Sequence, residues 1–407
     1  MTLWLLLALG CSPEPVDTSP PGLWSDAELA TLRGMRLPDT WADDPSNPSA
    51  SRESVKALGG ILFFDPSMSA NSAVSCGSCH KPEHHFTDGL PLAQGIGTAQ
   101  RHTPTIVGSQ QGPWFFWDGR ADSLWSQALG PLENPAEMGG DRMSIVRYAT
   151  ETHSHWFEAA WGPAPDLSDR DRFPEHARPA ATGEHAWMAR EWDRMAPEDQ
   201  QLVDELFSKV GKSLAAYELG LQPTEAPFDR YVDAVVAGDP AGGGELTEQQ
   251  VHGLDLFIGK GQCTLCHSGP LFSDRAFHNN GVPETRPGYD PGRRSGAPMV
   301  LGSPFNCRGP FSEQERCDEL DYLDPSFDDF QAAFKTPTLR YVSETAPYFH
   351  NGSHATLEDV VAFYSELPGN PPVGHRELTL KPLNLTDEET DAIVAFLESL
   401  TGDPVTP

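Results

Sequence analysis

The sequence has few basic residues, no long apolar run beyond its first residues, and few segments in which apolar and polar residues alternate. It contains 28 Lys and Arg against 59 Asp and Glu, a formal net charge of −31. This charge repels phosphate backbones and anionic lipid, which excludes nucleic-acid binding and favours a basic protein partner. The missing apolar runs exclude a membrane-spanning helix bundle. The missing alternation excludes a sheet-based fold and predicts a mainly α protein.

The length of the chain predicts two domains connected by long loops. Its 407 residues exceed what one hydrophobic core usually organises, and 37 Gly with 38 Pro indicate many turns. We expect a tether and N-terminal segment at 12–50, a first domain at 51–236 and a second at 246–402. The Gly-rich stretch at 237–244 is the predicted linker between these domains.

Four of the seven cysteines form two copies of the motif C-x-x-C-H. This pattern attaches c-type haem, because its two thiols bond the porphyrin and its His ligates the iron. A redox dithiol needs no following His, and a structural zinc site needs two ligand pairs close together in one fold. The motifs therefore predict two cytochrome c-like domains, each with one covalent haem. Their residues are Cys76, Cys79 and His80 in the first copy, and Cys263, Cys266 and His267 in the second.

The first residues predict export. An apolar run at 1–10 precedes Cys11 and is too short for a permanent membrane span. It resembles a bacterial lipoprotein signal, which predicts a lipid anchor at Cys11 on the periplasmic side of the envelope and no other membrane contact. No Lys or Arg precedes the run, so an ordinary cleaved signal is the alternative. In that oxidising compartment, Cys307 and Cys317 are expected to form a local disulfide.

The sixth ligand of each iron decides between electron transfer and catalysis. After His267 the only methionine is Met299, so the usual Met ligand is poorly available to the second haem. In the first domain, spacing alone makes Met138 the candidate ligand.

Several motifs occur in a fixed order around the two haem motifs. LFFD stands at 62–65, FTDG at 86–89, FFWDGRADSL at 115–124, QALGP at 127–131 and NPAEM at 134–138. FKTPTLR at 334–340 and APYFHNG at 346–352 follow near the end. Across residues 55–402 this order resembles the bacterial di-haem cytochrome c peroxidases and MauG, the di-haem enzyme that matures methylamine dehydrogenase.

The resemblance implies roles for individual residues. Trp117 matches a tryptophan that lies between the two haems and relays electrons. Gln127 and Glu137 match a polar pair above the open face of the first haem, where Glu137 moves protons as the O–O bond of peroxide breaks. Pro131 matches a residue that lines this pocket. The resemblance therefore overrules Met138 as a ligand. The alternatives are a core aromatic for Trp117 and a solvated or capping carboxylate for Glu137.

Tyr364 separates two branches of the family. It stands where the peroxidases place Met and MauG-like members place Tyr as a ligand of the second haem. Tyrosinate is a hard anionic ligand that stabilises ferric iron and lowers the potential. The alternative is a Tyr that simply packs within a helix.

Thr98 stands where reductively activated peroxidases have a His that blocks the peroxide site. The resemblance therefore implies that the first haem is open in the fully oxidised protein. His84, His85 and His102 lie nearby, and any of them is an alternative ligand.

The resemblance also implies a calcium ion between the haems. Thr345 and Pro347 match its carbonyl donors, but His102 stands where an Asn is expected. Imidazole is a poor ligand for a hard, oxygen-seeking cation.

These observations predict a di-haem peroxidase that reduces hydrogen peroxide with electrons from a small redox protein, such as a basic cytochrome c or a cupredoxin. The first alternative is a MauG-like enzyme that uses peroxide-derived high-valent haems to oxidise a Trp or Tyr of another protein. The second is a di-haem electron carrier without catalysis. The oligomeric state stays open, although members of the family commonly form homodimers.

Overall fold

The computed structural model describes residues 24–109 and 112–406, and this part is mainly helical. The predicted signal and Cys11 lie outside the described residues. A two-residue antiparallel pair, β1 (Phe277–His278) and β2 (Phe334–Lys335), is the only sheet in these ranges. The α-helices are α1 Asp26–Met35, α2 Glu53–Phe64, α3 Cys76–Cys79, α4 Leu124–Glu133, α5 Arg142–Arg147, α6 Ser154–Trp161, α7 Ala186–Arg194, α8 Pro197–Glu218, α9 Pro227–Val236, α10 Glu248–Ile258, α11 Arg293–Gly302, α12 Asp318–Asp321, α13 Leu357–Glu366 and α14 Asp387–Glu398.

Three helices begin where the sequence pattern predicts a helix start, at a Ser or Thr followed three positions later by Glu or Gln. Ser25 caps α1, Thr247 caps α10 and Thr386 caps α14, each in a capping box with the residue three positions on. The apolar face of α14 and of the residues directly after it is buried and consists of Ile393, Val394, Phe396, Leu397 and Leu400.

Each half of the chain contains a close helix crossing that precedes a haem motif. In the first half α2 packs on α8, and in the second α10 packs on α14. A glycine allows each contact, because a Cβ at Gly59 would lie 1.8 Å from the Ser213 carbonyl oxygen. A Cβ at Gly253 would lie 1.8 Å from that of Ala392. The first C-x-x-C-H motif follows α2 along the chain, and the second follows α10. Each helix crossing therefore helps to set the position of the haem motif that follows it.

The buried apolar side chains form two clusters. The first is built mainly from residues between Val55 and Leu221, and the second mainly from residues between Phe228 and Leu400. We propose that these clusters are the cores of the two domains. Helix α9 contributes Phe228, Tyr231 and Val232 to the second cluster, although the boundary expected from the sequence lies after it.

The predicted disulfide between Cys307 and Cys317 is present and closes the loop between α11 and α12. No described helix combines the length and apolar character needed to cross a lipid bilayer.

Candidate active site

A cavity of about 900 Å³ is lined by both halves of the chain. It brings together the residues expected to hold the two haems, to act on peroxide or to bind calcium, although these residues are far apart in sequence. They are Cys76, Cys79, His80, Trp117, Gln127, Pro131, Glu137, Cys263, Cys266, His267, Thr345, Pro347 and Tyr364.

The two motif histidines are oriented in the same way. His80 Nδ1 donates to the Phe86 carbonyl oxygen at 2.9 Å, and His267 Nδ1 donates to that of Phe272 at 2.8 Å. Both phenylalanines are fully buried and have positive φ, 61° and 52°. Desolvation lowers the pKa of both histidines, which favours the neutral imidazole. The bond at Nδ1 fixes the tautomer in which Nε2 is free to ligate a metal.

Two basic side chains near the second motif favour an anionic group in the cavity. Arg275 and Lys335 both line the cavity, and neither forms an ion pair in the described part of the chain. Desolvation, followed by repulsion from Arg275, lowers the pKa of Lys335 to about 8. The buried Nε of Arg275 has no hydrogen-bond partner. Partly burying two cations without an ion-pair partner is costly. The propionates of a haem would neutralise these cations. The four motif thiols form no disulfide, and Nε2 of each motif histidine is available to a metal. These groups and the two cations together fit haem.

Glu137 is positioned by a side chain that the sequence reasoning missed. Asn134, the C-cap of α4, donates from Nδ2 to Glu137 Oε1 at 2.7 Å, and its Oδ1 accepts from the Ala136 amide at 3.0 Å. Desolvation raises the pKa of Glu137 above its usual value, against opposing effects of Arg120 and Asn134. Gln127 and Pro131 lie one turn apart on α4 and line the same cavity. Glu137 is therefore a carboxyl group whose neutral form is favoured beside a second polar side chain.

The loop that contains Thr98 is packed on the backbone of Glu137. The Ile96 amide donates to the Glu137 carbonyl at 2.8 Å, and a Cβ at Gly95 would lie 2.4 Å from that same oxygen. Thr98 is exposed, and its hydroxyl donates to Gln94 Oε1 at 3.1 Å. Thr98 is not among the cavity-lining residues. This loop therefore fixes the backbone of Glu137, and position 98 places no imidazole in the cavity.

Of the three nearby histidines, one lines the cavity. His84 is exposed, His85 stacks on Tyr341 at 4.9 Å between ring centroids, and neither lines the cavity. His102 does line it, and its Nδ1 donates to the Leu90 carbonyl at 2.7 Å.

Trp117 connects the two halves. Its Nε1 donates to the His102 carbonyl at 2.9 Å, and its own carbonyl accepts from the Lys335 amide in β2 at 2.8 Å. Its ring lies edge to face with His350, with 6.5 Å between centroids. Trp117 is thus fixed on one side by the first half and on the other by the second.

The three residues matched to a calcium site do not fit calcium. Thr345 and Pro347 supply backbone carbonyls, but the third position offers the imidazole of His102, whose Nδ1 is already bonded to Leu90. Desolvation lowers the pKa of His102, against hydrogen bonds to the Leu90 and Thr345 carbonyls. The His102 ring therefore faces the Thr345 carbonyl, which would otherwise be available to the ion. Calcium requires six to eight oxygen ligands, and an imidazole supplies none.

His278 lies between two carboxylates. Its Nε2 is 2.8 Å from Asp274 Oδ2 and its Nδ1 is 2.9 Å from Glu377 Oε2. Hydrogen bonds with Asp274 and Glu377 raise the pKa of His278 above its usual value. The imidazolium therefore ties the segment after the second haem motif to the loop before α14.

A short repeat, TPT, also belongs to the site and was not predicted from the sequence. Thr105, in the sequence TPT at 103–105, donates to the His85 carbonyl at 2.7 Å. Thr338, in TPT at 336–338, donates to the Leu271 carbonyl at 2.8 Å. Each acceptor immediately precedes the phenylalanine that orients a motif histidine. Comparing the sequences after each C-x-x-C-H motif reveals this signal.

Comparison with known proteins agrees with this site. A family model described as di-haem cytochrome c peroxidase matches residues 53–236. The chain is 33% identical over 369 residues to the cytochrome-c peroxidase IdrP2 of Denitromonas iodatirespirans, covering 88% of this chain and 84% of that protein. It therefore belongs to the di-haem cytochrome c peroxidase and MauG family.

Two further similar proteins are a MauG and a MauG-like protein. The methylamine utilization protein MauG of Methylorubrum extorquens is 30% identical over 385 residues, covering 93% of this chain and 87% of that protein. A solved structure of a MauG-like protein associated with microbial copper homeostasis superposes with a TM-score of 0.62 at 26% identity, covering 90% of this chain and 95% of that one.

Proposed function

We propose that this protein is a di-haem peroxidase that reduces hydrogen peroxide to water with electrons from a small redox protein. Each turnover takes two electrons and two protons and converts one peroxide into two water molecules. The observation that supports this most strongly is the shared cavity, which contains both C-x-x-C-H motifs, the Gln127–Glu137 pair and Trp117. A simple electron carrier has no use for the polar pair.

Cys76, Cys79 and His80 would hold the first haem, and Cys263, Cys266, His267 and Tyr364 the second. When bound, the first haem supplies the iron that binds peroxide and the second supplies a store for electrons. Gln127 would donate a hydrogen bond to peroxide in the cavity. Glu137, in its ionised form, would accept a proton from one peroxide oxygen and return it to the other, so that the departing group leaves as water. Trp117 carries electrons between the two halves.

We expect Trp117→Phe to separate peroxide consumption from donor oxidation. Phe keeps an aromatic side chain but removes the Nε1–H that fixes Trp117 to His102 and the indole that is most easily oxidised. The variant should still react with the first equivalent of peroxide, but continuous oxidation of reduced cytochrome c should be lost. Trp156→Phe is the matched control, because Trp156 is 43% exposed on α6. Equal donor turnover in both variants would remove Trp117 from the electron path.

Tyr364 favours a second function, oxidation of a Trp or Tyr side chain on another protein with hydrogen peroxide. A phenolate ligand stabilises the oxidised states of the second haem, which suits an enzyme that stores two oxidising equivalents. A changed absorption spectrum that persists after peroxide addition and does not respond to a reduced donor would support this function.

We expect calcium chelation to leave the protein unaffected. Excess EGTA should change neither donor turnover nor the absorption spectrum, because the donor set with His102 does not fit the ion. His102→Asn should introduce a dependence on added calcium, since it replaces nitrogen with an oxygen ligand. Loss of wild-type turnover in EGTA, restored by calcium, is the contrary result.

We further propose that the chain works on the periplasmic side of a bacterial envelope, held by a lipid at Cys11. A net charge of −31 supports a basic electron donor, since opposite charges speed encounter.

A further inference from the structure

The hydroxyl of Tyr364 has a specific hydrogen-bond donor in the cavity. Asn280 Nδ2 donates to the Tyr364 oxygen at 2.9 Å. Both residues line the cavity beside Cys266 and His267 of the second haem motif. The amide N–H donates this hydrogen bond and the phenol oxygen accepts it, which is the direction that also suits a phenolate oxygen.

The backbone around Asn280 is held rigidly. The preceding Asn279 is buried, and its Nδ2 donates to the carbonyls of Gln331 and Val373 at 3.0 Å each. Its Oδ1 accepts from the Gly281 amide at 3.0 Å. Asn280 therefore lies in a segment whose position does not depend on its own side chain.

One arginine connects this segment to the helix that carries Tyr364. Arg376 Nε donates to the Asn280 carbonyl at 3.1 Å, and Nη1 donates to the Leu367 carbonyl at 3.0 Å, at the C-terminal end of α13. Its Nη2 also donates to the carbonyls of Pro368 and Gly369. Arg376 thereby fixes the distance between Asn280 and α13, so the amide and the phenol are placed opposite each other before any ligand binds.

We propose that Asn280 is a positioning residue that orients the Tyr364 oxygen toward the second haem and tunes its strength as a ligand. The inference rests on the proposed function, in which Tyr364 ligates that haem. A donated hydrogen bond withdraws electron density from the phenolate and so raises the potential of the iron it binds. It also makes position 364 selective for Tyr, because the thioether of Met is only a weak acceptor for the amide of Asn280.

The test is the reduction potential of the second haem in the holoprotein. Asn280→Leu, which has a similar shape and cannot donate, should shift the one-electron equilibrium about tenfold toward the oxidised state, equal to about 59 mV downward. The phenolate-to-iron absorption band should shift with it. Asn280→Ala removes the donor without adding bulk and should change the potential in the same direction.

A double-mutant cycle provides the control. In a Tyr364→Met background, Asn280→Leu should leave the potential unchanged, because the acceptor oxygen is gone. The same shift in both backgrounds, or a wild-type potential and band in both Asn280 variants, overturns the proposal. An unchanged band in Tyr364→Met also overturns it, since Tyr364 would then not be a ligand. The peroxidase proposal fails separately, if the wild-type protein does not oxidise a donor with peroxide.

Discussion

Replacing Glu137 with Gln is expected to slow the reaction with hydrogen peroxide by about 10² to 10⁴, the usual contribution of a positioned acid–base group. The amide has the shape of the carboxyl group, and its oxygen still accepts the hydrogen bond from Asn134. It cannot take up the peroxide proton and return it. The rate of peroxide consumption at a fixed concentration measures the effect, while haem content and the resting spectrum should stay at the wild-type level.

The pH dependence adds a second criterion for Glu137. Desolvation raises the pKa of this carboxyl, so its neutral form persists to a higher pH than in an ordinary Glu. Because only the ionised carboxylate can take up the peroxide proton, the wild-type rate should rise with pH through a pKa above the ordinary Glu value. This ionisation should vanish in Glu137→Gln. Glu158→Gln is the matched control, because Glu158 is exposed on α6. If the two variants have the same rate, Glu137 has no part in proton transfer.

Replacing Arg340 with Met is expected to destabilise the folded protein by about 3–5 kcal/mol, the cost of removing one partner from a buried ion pair. The Arg340 and Asp229 side chains are both 1% exposed. Arg340 donates from Nη1 and Nη2 to the Asp229 carboxylate at 2.6 and 2.9 Å, and also to the carbonyls of Met35 and Pro270. The substitution leaves Asp229 buried without a countercharge between α1, α9 and the segment after the second haem motif.

The denaturant midpoint of the holoprotein measures this loss. Arg230→Met is the matched control, because its ion pair with Glu245 is partly exposed and should be worth at most about 1 kcal/mol. Adding Asp229→Leu to Arg340→Met should recover part of the lost stability, since an apolar pair needs no countercharge. Equal midpoints for the Arg340 and Arg230 variants would refute the role assigned to the buried pair.

Local sequence patterns predicted much of the fold. The capping residues Ser25, Thr247 and Thr386 each act through a residue three positions away, so a short window contains the whole signal. The helix crossings at Gly59 and Gly253 could not be predicted, because the partner of each glycine lies more than a hundred residues away. For the same reason the sequence placed α9 before the linker and gave no sign that its apolar face packs in the second cluster.

In the candidate site, too, local sequence motifs could be recognised and contacts between distant residues could not. The haem motifs are contiguous, and the order of the family motifs indicated Trp117, Gln127 and Glu137, all of which line the shared cavity. Asn280 was missed because its contact with Tyr364 joins residues 84 positions apart. Asn134 is only three residues from Glu137, but an Asn at this position is explained by helix capping alone. Its hydrogen bond to the Glu137 carboxyl group was therefore not predicted.

The most direct test of the central claim is a stopped-flow experiment. The fully oxidised holoprotein is mixed with hydrogen peroxide and a reduced basic cytochrome c, and oxidation of the donor is followed. Peroxidase function predicts that two donor molecules are oxidised per peroxide, over many turnovers and without prior reduction of the enzyme. A protein that consumes peroxide but leaves the donor reduced would contradict the account.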